Sequence, residues 1–245
     1  MARAALRGRL NWSVATVRAV VDETPRVRTL VFDVPGWPGH RPGQHVDVRL
    51  TADDGYRAER GYSIASAPGE PLAITVERLD EGEVSPYLTE VLQPGDRIEL
   101  RGPIGGHFVW EPRLGGPVLM IAGGSGIAPF RSMLRHRRRT GDGTGVRLVY
   151  SARTADDVIY AGELAQQDEG VEIVLTLTRA QPPGWGGRSG RIDAALLREL
   201  AFPASTGASA YVCGPTSFVE DIARVLVGLA YPPERIKTER FGATG

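Results

Sequence analysis

The segment Arg60-Gly61-Tyr62-Ser63 puts a cation, an aromatic ring and a hydroxyl within four residues. On an extended strand Arg60 and Tyr62 project from one face, because side chains alternate with period two. A guanidinium there forks two hydrogen bonds onto a pyrophosphate, the phenol ring stacks on a flat heterocycle, and Ser63 offers a hydroxyl to a ring nitrogen. Those contacts suit a flavin nucleotide, although the tetrapeptide alone also fits an ordinary strand with an exposed Arg and a half-buried Tyr. Downstream, Gly123-Gly124-Ser125-Gly126 follows the apolar run Val118-Leu119-Met120-Ile121 and precedes a helix-forming stretch. The free N–H groups of such a turn favour a dinucleotide's phosphates, although the spacing is not the G-x-G-x-x-G fingerprint. Two cofactor sites in series suggest an enzyme that passes electrons from one to the other.

Three further segments bear on those sites. Gly82-Glu83-Val84-Ser85 stands at the start of a predicted helix over 85–92, with Ser85 as its N-cap and Pro86 at the first helical position. Free N–H groups and the macrodipole favour an anion at that point. Gly102-Pro103-Ile104-Gly105-Gly106-His107-Phe108 is a glycine-rich loop that lets backbone approach a ligand. Tyr150-Ser151-Ala152-Arg153-Thr154 follows a predicted strand at the place where dinucleotide folds discriminate the adenosine ribose. An acidic residue there would favour NADH. Ser151 and Arg153 instead suit a 2′-phosphate, with Arg179 as a second cation, so NADPH is favoured over NADH.

The elements that must position these residues fall into two rhythms. Short apolar or alternating runs predict strands over 14–21, 27–34, 45–50, around Ile64, over 72–79 and over 97–100. That spacing points to an antiparallel β-barrel or sandwich. Beyond Leu114 the pattern becomes strand, glycine turn and amphipathic helix. Strands are predicted over 118–122, 147–151, 172–176 and 210–213, with helices over 128–138, 161–167, 194–200 and 217–229. This alternation predicts an α/β doubly wound parallel sheet. The expected division is an N-terminal domain over 1–113 and a C-terminal domain over 114–245.

Composition limits the remaining chemistry. Lys plus Arg and Asp plus Glu are both 29, so no global field recruits nucleic acid or an anionic membrane. Cys213 is the single cysteine of the 245 residues, which excludes an intrachain disulfide and a cysteine-ligated iron-sulfur cluster held by this chain. The four histidines, His40, His45, His107 and His136, lack metal-site spacing, so no bound metal is expected. The basic N-terminal stretch MARAALRGRL runs on without an apolar core, and no stretch has transmembrane length, so the expected location is the cytoplasm.

Arg60-Gly61-Tyr62-Ser63, Gly82-x-x-Ser85, Gly102-Pro103-x-Gly105 and the glycine turn at Gly123 together resemble the ferredoxin-NADP reductase superfamily over nearly the whole chain. The resemblance implies an FAD-binding β-barrel followed by an NAD(P)-binding domain, with hydride passing from NADPH, or less readily NADH, onto FAD and electrons leaving to a separate acceptor. It places Arg60 on the flavin pyrophosphate, Tyr62 on the isoalloxazine, Ser63 near N5, and Gly82, Val84 and Ser85 by the pyrophosphate, within a motif that includes Gly61. Gly123, Gly124, Ser125 and Gly126 would face the nicotinamide dinucleotide's pyrophosphate. Cys213, Gly214 and Pro215 would lie beside the nicotinamide, with Glu239 as a proton relay and Phe241 over one flavin face. Ser63, Cys213 and Glu239 are thus the candidate catalytic residues. The chain departs from many members at Gly105-Gly106-His107-Phe108, with one residue more before the aromatic.

A monomer is expected, with ferredoxin, flavodoxin or an oxygenase system as acceptor. Other readings are a flavin reductase, an oxygenase reductase component and a non-catalytic subunit of a larger complex. Subunits of that last kind carry a cysteine-rich segment near the C-terminus, and its lack here favours a stand-alone reductase. The run Arg131, Arg135, Arg137, Arg138 and Arg139 could form a docking patch for an acidic electron carrier or simply a solvated helix face.

Overall fold

The computed structural model describes residues 10–112 and 115–241. The expected boundary at Leu114, most of the basic N-terminal stretch and Gly242 lie outside the described residues. The N-terminal half forms a six-stranded antiparallel sheet in the order β4-β3-β6-β1-β2-β5. Its strands are β1 (Ser13–Thr24), β2 (Val27–Asp33), β3 (His45–Thr51), β4 (Arg57–Ser63), β5 (Leu72–Glu77) and β6 (Arg97–Ile104). A bridge between Ile64 and Ile74 joins the two edges and closes the sheet into a barrel. The two edge strands thus meet at this bridge. Ala15, Val17, Leu30, Phe32, Val46, Val48 and Leu100 fill the barrel.

The C-terminal half is a parallel sheet in the order β10-β9-β8-β7-β11-β12. It comprises β7 (Val118–Gly123), β8 (Val146–Ala152), β9 (Val171–Leu177), β10 (Arg188–Ser189), β11 (Ser209–Pro215) and β12 (Ile236–Phe241). Helices α1 (Ala128–Thr140), α2 (Ala161–Leu164), α3 (Ala194–Leu200) and α4 (Thr216–Gly228) connect the strands. Every residue of β7 is buried, as expected for a central parallel strand covered on both faces. Strand order reverses at β7, which has β8 on one side and β11 on the other. Ligands of such sheets bind at this reversal, outside the carboxyl ends of the strands.

Alternation along the strands sends residues to two different cores. Met120, Leu148, Tyr150 and Tyr211 pack with Phe108, Trp110 and Val27 between the two sheets. Leu119, Ile121, Val149 and Val212 pack under α3 and α4. Phe108, after the longer glycine loop, is a core residue, with its ring 5.8 Å from Phe130 and 5.3 Å from Tyr211. The Tyr211 hydroxyl donates to the Val109 carbonyl (3.1 Å) and the Ser132 hydroxyl to that of Ser66 (2.6 Å). Thr75 and Tyr160 also bond across the interface. These bonds fix one half against the other.

Several elements differ from the sequence-based expectation. The expected helix over 85–92 is present over 85–91, but from Tyr87 to Val91 it widens into a π turn, and Ser85 lies inside it rather than capping it. The Ser85 hydroxyl instead accepts from the Leu79 amide (3.0 Å), holding the preceding turn. The helix over 161–167 shortens to α2, Ala161–Leu164. The tail is strand β12, whose mixed sequence Ile-Lys-Thr-Glu-Arg-Phe reflects a partly buried edge position. The α1 arginines do not form a free cationic patch. Arg131 and Arg135 pair with Glu163, Arg137 and Arg138 with Asp168, and Arg139 with Glu70.

Candidate functional site

The catalytic candidates meet at the junction of the barrel and the parallel sheet. Parallel pairing sets Cys213 of β11 beside Glu239 of β12, and the next partners are Gly214 with Arg240 and Pro215 with Phe241. At the end of β4, the Ser63 hydroxyl donates to Glu239 Oε2 at 3.0 Å. The Cys213 thiol donates to the same oxygen from 3.9 Å. Burial pushes the Glu239 carboxyl above its ordinary value despite the two donors, because the charged form loses its hydration. Burial, then the charge of Glu239, hold the Cys213 thiol well above its usual range. Burial thus raises both the carboxyl and the thiol of this cluster above their ordinary values.

Arg60 and Tyr62 lie opposite Val48 and Val46 and so share one face of β4. Tyr62 is half-buried, whereas Arg60 is exposed with its guanidinium held by the Glu59 carbonyl (2.8 Å). A cation with a neutral partner retains its capacity for a phosphate. Gly61 carries no side chain, and a Cβ there would stand 3.5 Å from the Asp47 carboxylate. Val84 and Ser85 are buried. A Cβ on Gly82 would come within 2.9 Å of the Ser85 hydroxyl, so glycine lets this turn close. An anion at Gly82-Glu83-Val84-Ser85 would therefore meet main chain rather than the Val84 or Ser85 side chains.

The glycine turn after β7 is a 3-10 turn, Gly124–Ile127, which leads directly into α1. A Cβ on Gly126 would stand 2.2 Å from the Cys213 carbonyl, so only glycine allows the turn to lie against the end of β11. The Phe218 ring covers Gly123 and Gly214. A cleft of about 340 Å³ opens there, a volume within the range of small-molecule sites. Gly123, Gly124, Ser151, Arg153, Pro215 and Phe241 line it. Ser125 turns its hydroxyl to Glu77 of the barrel (2.8 Å). Arg179 does not line the cleft and is exposed, although its amide bonds the Arg153 carbonyl (2.9 Å).

Glu77, Thr178, Arg191, Ser217 and Phe218 also line the cleft and had no recognisable motif. Phe218 alone had a signal, since an aromatic ring near the start of a helix after a Cys-Gly-Pro turn must face the strand ends. Hydroxyls, three arginines and two phenyl rings suit a ligand that carries both phosphates and flat rings. The residues present thus fit a nicotinamide dinucleotide in the cleft and a flavin beside Tyr62 and Ser63.

The same division appears among known proteins. Residues 15–110 match the oxidoreductase FAD-binding domain, and residues 120–224 match the oxidoreductase NAD-binding domain. Ferredoxin--NADP reductase B of Sorangium cellulosum is 34% identical over 241 residues, covering 93% of this chain and 96% of that protein. The glycine betaine monooxygenase reductase subunit of Chromohalobacter salexigens is 35% identical over 234 residues, covering 92% of this chain. The chain spans 63% of the length of that relative. A ferredoxin NADP+ reductase from Neisseria gonorrhoeae with bound FAD and NADP superposes with a TM-score of 0.81 at 25% identity, covering 94% of this chain and 98% of that one. Matching domains, sheet order and a relative aligned along almost its full length show that the chain belongs to the ferredoxin-NADP reductase superfamily of FAD- and NAD(P)-binding oxidoreductases.

Proposed function

We propose that the chain is an FAD-containing reductase that takes reducing equivalents from NADPH, in preference to NADH, and passes electrons to a separate acceptor. The observation that carries this reading is the Ser63–Glu239 hydrogen bond of 3.0 Å, with Cys213 on the same carboxyl. It sets the flavin-type motif of the barrel directly against the strand ends of the nucleotide-binding half. FAD, when bound, supplies the redox chemistry, accepting two electrons from the nicotinamide and releasing them to the acceptor.

The chain's own residues hold, orient and protonate. Arg60, with Gly61 beside it, reaches a flavin phosphate. The ring of Tyr62 packs on the flavin heterocycle, while Gly82, Val84 and Ser85 shape the turn that offers main chain to the pyrophosphate. Gly123, Gly124, Ser125 and Gly126 receive the dinucleotide's pyrophosphate. Ser151 and Arg153 bind the 2′-phosphate, and Arg179 acts at longer range. Gly214 and Pro215 place the nicotinamide beside Cys213, and Phe241 shields the junction from water. Glu239, whose carboxyl burial raises above its ordinary value, is the proton relay, and the Ser63 hydroxyl that donates to it fixes its position.

The acceptor is ferredoxin, flavodoxin or an oxygenase component. The oxygenase choice draws support from relatives named as reductase components of glycine betaine monooxygenase, propane 2-monooxygenase and 3-ketosteroid-9-alpha-monooxygenase. No helix among the described residues is long and apolar enough to cross a membrane. A cytoplasmic location belongs to this proposal. The test is the visible spectrum of the purified protein and its bleaching by NADPH and by NADH. A yellow protein bleached faster by NADPH is expected; a colourless protein that takes up no FAD would overturn the reading.

A further inference from the structure

Glu77 places a carboxylate where the cleft would receive a ligand's phosphates. It closes β5, where antiparallel pairing with Val27 of β2 fixes its backbone on the barrel. From there its side chain crosses to the nucleotide-binding half and accepts the Ser125 hydroxyl at 2.8 Å. The same oxygen would lie 3.7 Å from a Cβ built on Gly124, so the carboxylate stands against the turn itself. Arg26, which lines the same cleft, is engaged elsewhere by both Asp80 oxygens at 2.9 Å.

We propose that Glu77 sets the dinucleotide affinity of this cleft, its carboxylate occupying the anion position of the Gly124–Ile127 turn until a dinucleotide pyrophosphate displaces it from Ser125. The inference rests on the cleft being the nicotinamide nucleotide site. Both groups are acceptors that compete for the Ser125 hydroxyl, and both are negative, so they do not share the turn. The dinucleotide binds only with Glu77 withdrawn, and its measured affinity falls by the fraction of molecules in which that has happened. NAD+ and NADP+ carry the same pyrophosphate and differ only at the distant ribose. Glu77 therefore weakens both by the same factor and sets a threshold for any anion at the turn rather than choosing between them.

The test is titration of NAD+ and of NADP+ into the FAD-loaded wild type and the variants Glu77→Gln, Glu77→Ala, Ser125→Ala and Ser125→Ala with Glu77→Ala. Flavin absorption and melting temperature verify the fold, and the isosteric Glu77→Gln serves if Glu77→Ala is unstable. Removing the charge should tighten both dinucleotides about tenfold, by an equal factor. The gain should shrink towards 1 M salt, where the screening length falls to about 3 Å. It should also shrink in the Ser125→Ala background, which frees the carboxylate from the turn. Unchanged or weaker binding of both dinucleotides would overturn the proposal while leaving the cleft's assignment intact. A gain confined to NADP+ would overturn it too, by placing the effect at the 2′-phosphate. If neither dinucleotide binds any form, the assignment of the cleft fails and the proposal with it.

Discussion

The Ser63 hydroxyl donates to Glu239 Oε2 at 3.0 Å although the two residues are 176 positions apart. Ser63 ends a barrel strand and Glu239 lies near the end of an edge strand of the parallel sheet. Their contact ties the barrel directly to the parallel sheet.

Replacing Glu239 with Gln keeps the shape and removes the ionisable proton. Stopped-flow measurement of flavin bleaching by NADPH should show a rate lower by roughly 10²-fold, with the NADPH dissociation constant changed far less. The same variant tests the burial of the carboxyl. A raised folded pKa means the folded state holds the proton more tightly, so this stability is fully present below the unfolded value near 4.5 and is lost as pH rises through the folded value. At neutral pH, Glu239→Gln should therefore melt higher than the wild type. The gap should close as pH falls below about 4.5.

Arg153 lines the cleft beside Ser151 and is exposed. Arg153→Ala should lower the ratio of NADPH to NADH kcat/KM by roughly 10-fold or more, the worth of one charge-assisted hydrogen bond. Steady-state kinetics with both nucleotides measure it, and an unchanged ratio would remove Arg153 from the specificity site.

Gly126 touches the Cys213 carbonyl through the space a Cβ would fill. Backbone on both sides cannot yield as a flexible side chain can. Gly126→Ala should cost about 1–3 kcal/mol by denaturant titration, and it should raise KM for the nucleotide because the turn moves. Gly143, whose Cβ would meet nothing within 4 Å, is the matched control.

Arg137 is 4% exposed and is bound to Asp168, the Thr144 carbonyl and the Glu169 carbonyl. Arg137→Ala leaves Asp168 with only the more exposed Arg138, and should destabilise the fold by about 3–5 kcal/mol in denaturant titration. Arg138→Ala should cost under about 1 kcal/mol, since that guanidinium remains largely hydrated.

Local sequence carried much of this protein. Period-two runs marked most barrel strands, and strand-turn-helix alternation marked the parallel sheet, because both patterns follow from which faces must be buried. The Arg60 to Ser63 segment and the Gly123 turn were legible as chemistry for the same local reason: residue types and backbone freedom are written within a few positions. β12 was not legible, since an edge strand needs little apolar burial, and the pairing of Cys213 with Glu239 depends on register between strands distant in sequence. The π turn at Tyr87–Val91 and the neutralised arginines of α1 likewise depend on neighbours from elsewhere in the chain. Composition and motif determined which cofactor chemistry this chain can support. Only tertiary packing decided that Ser63, Cys213 and Glu239 share one oxygen and that Glu77 faces Ser125, because such contacts require two separately folded sheets to be pressed together.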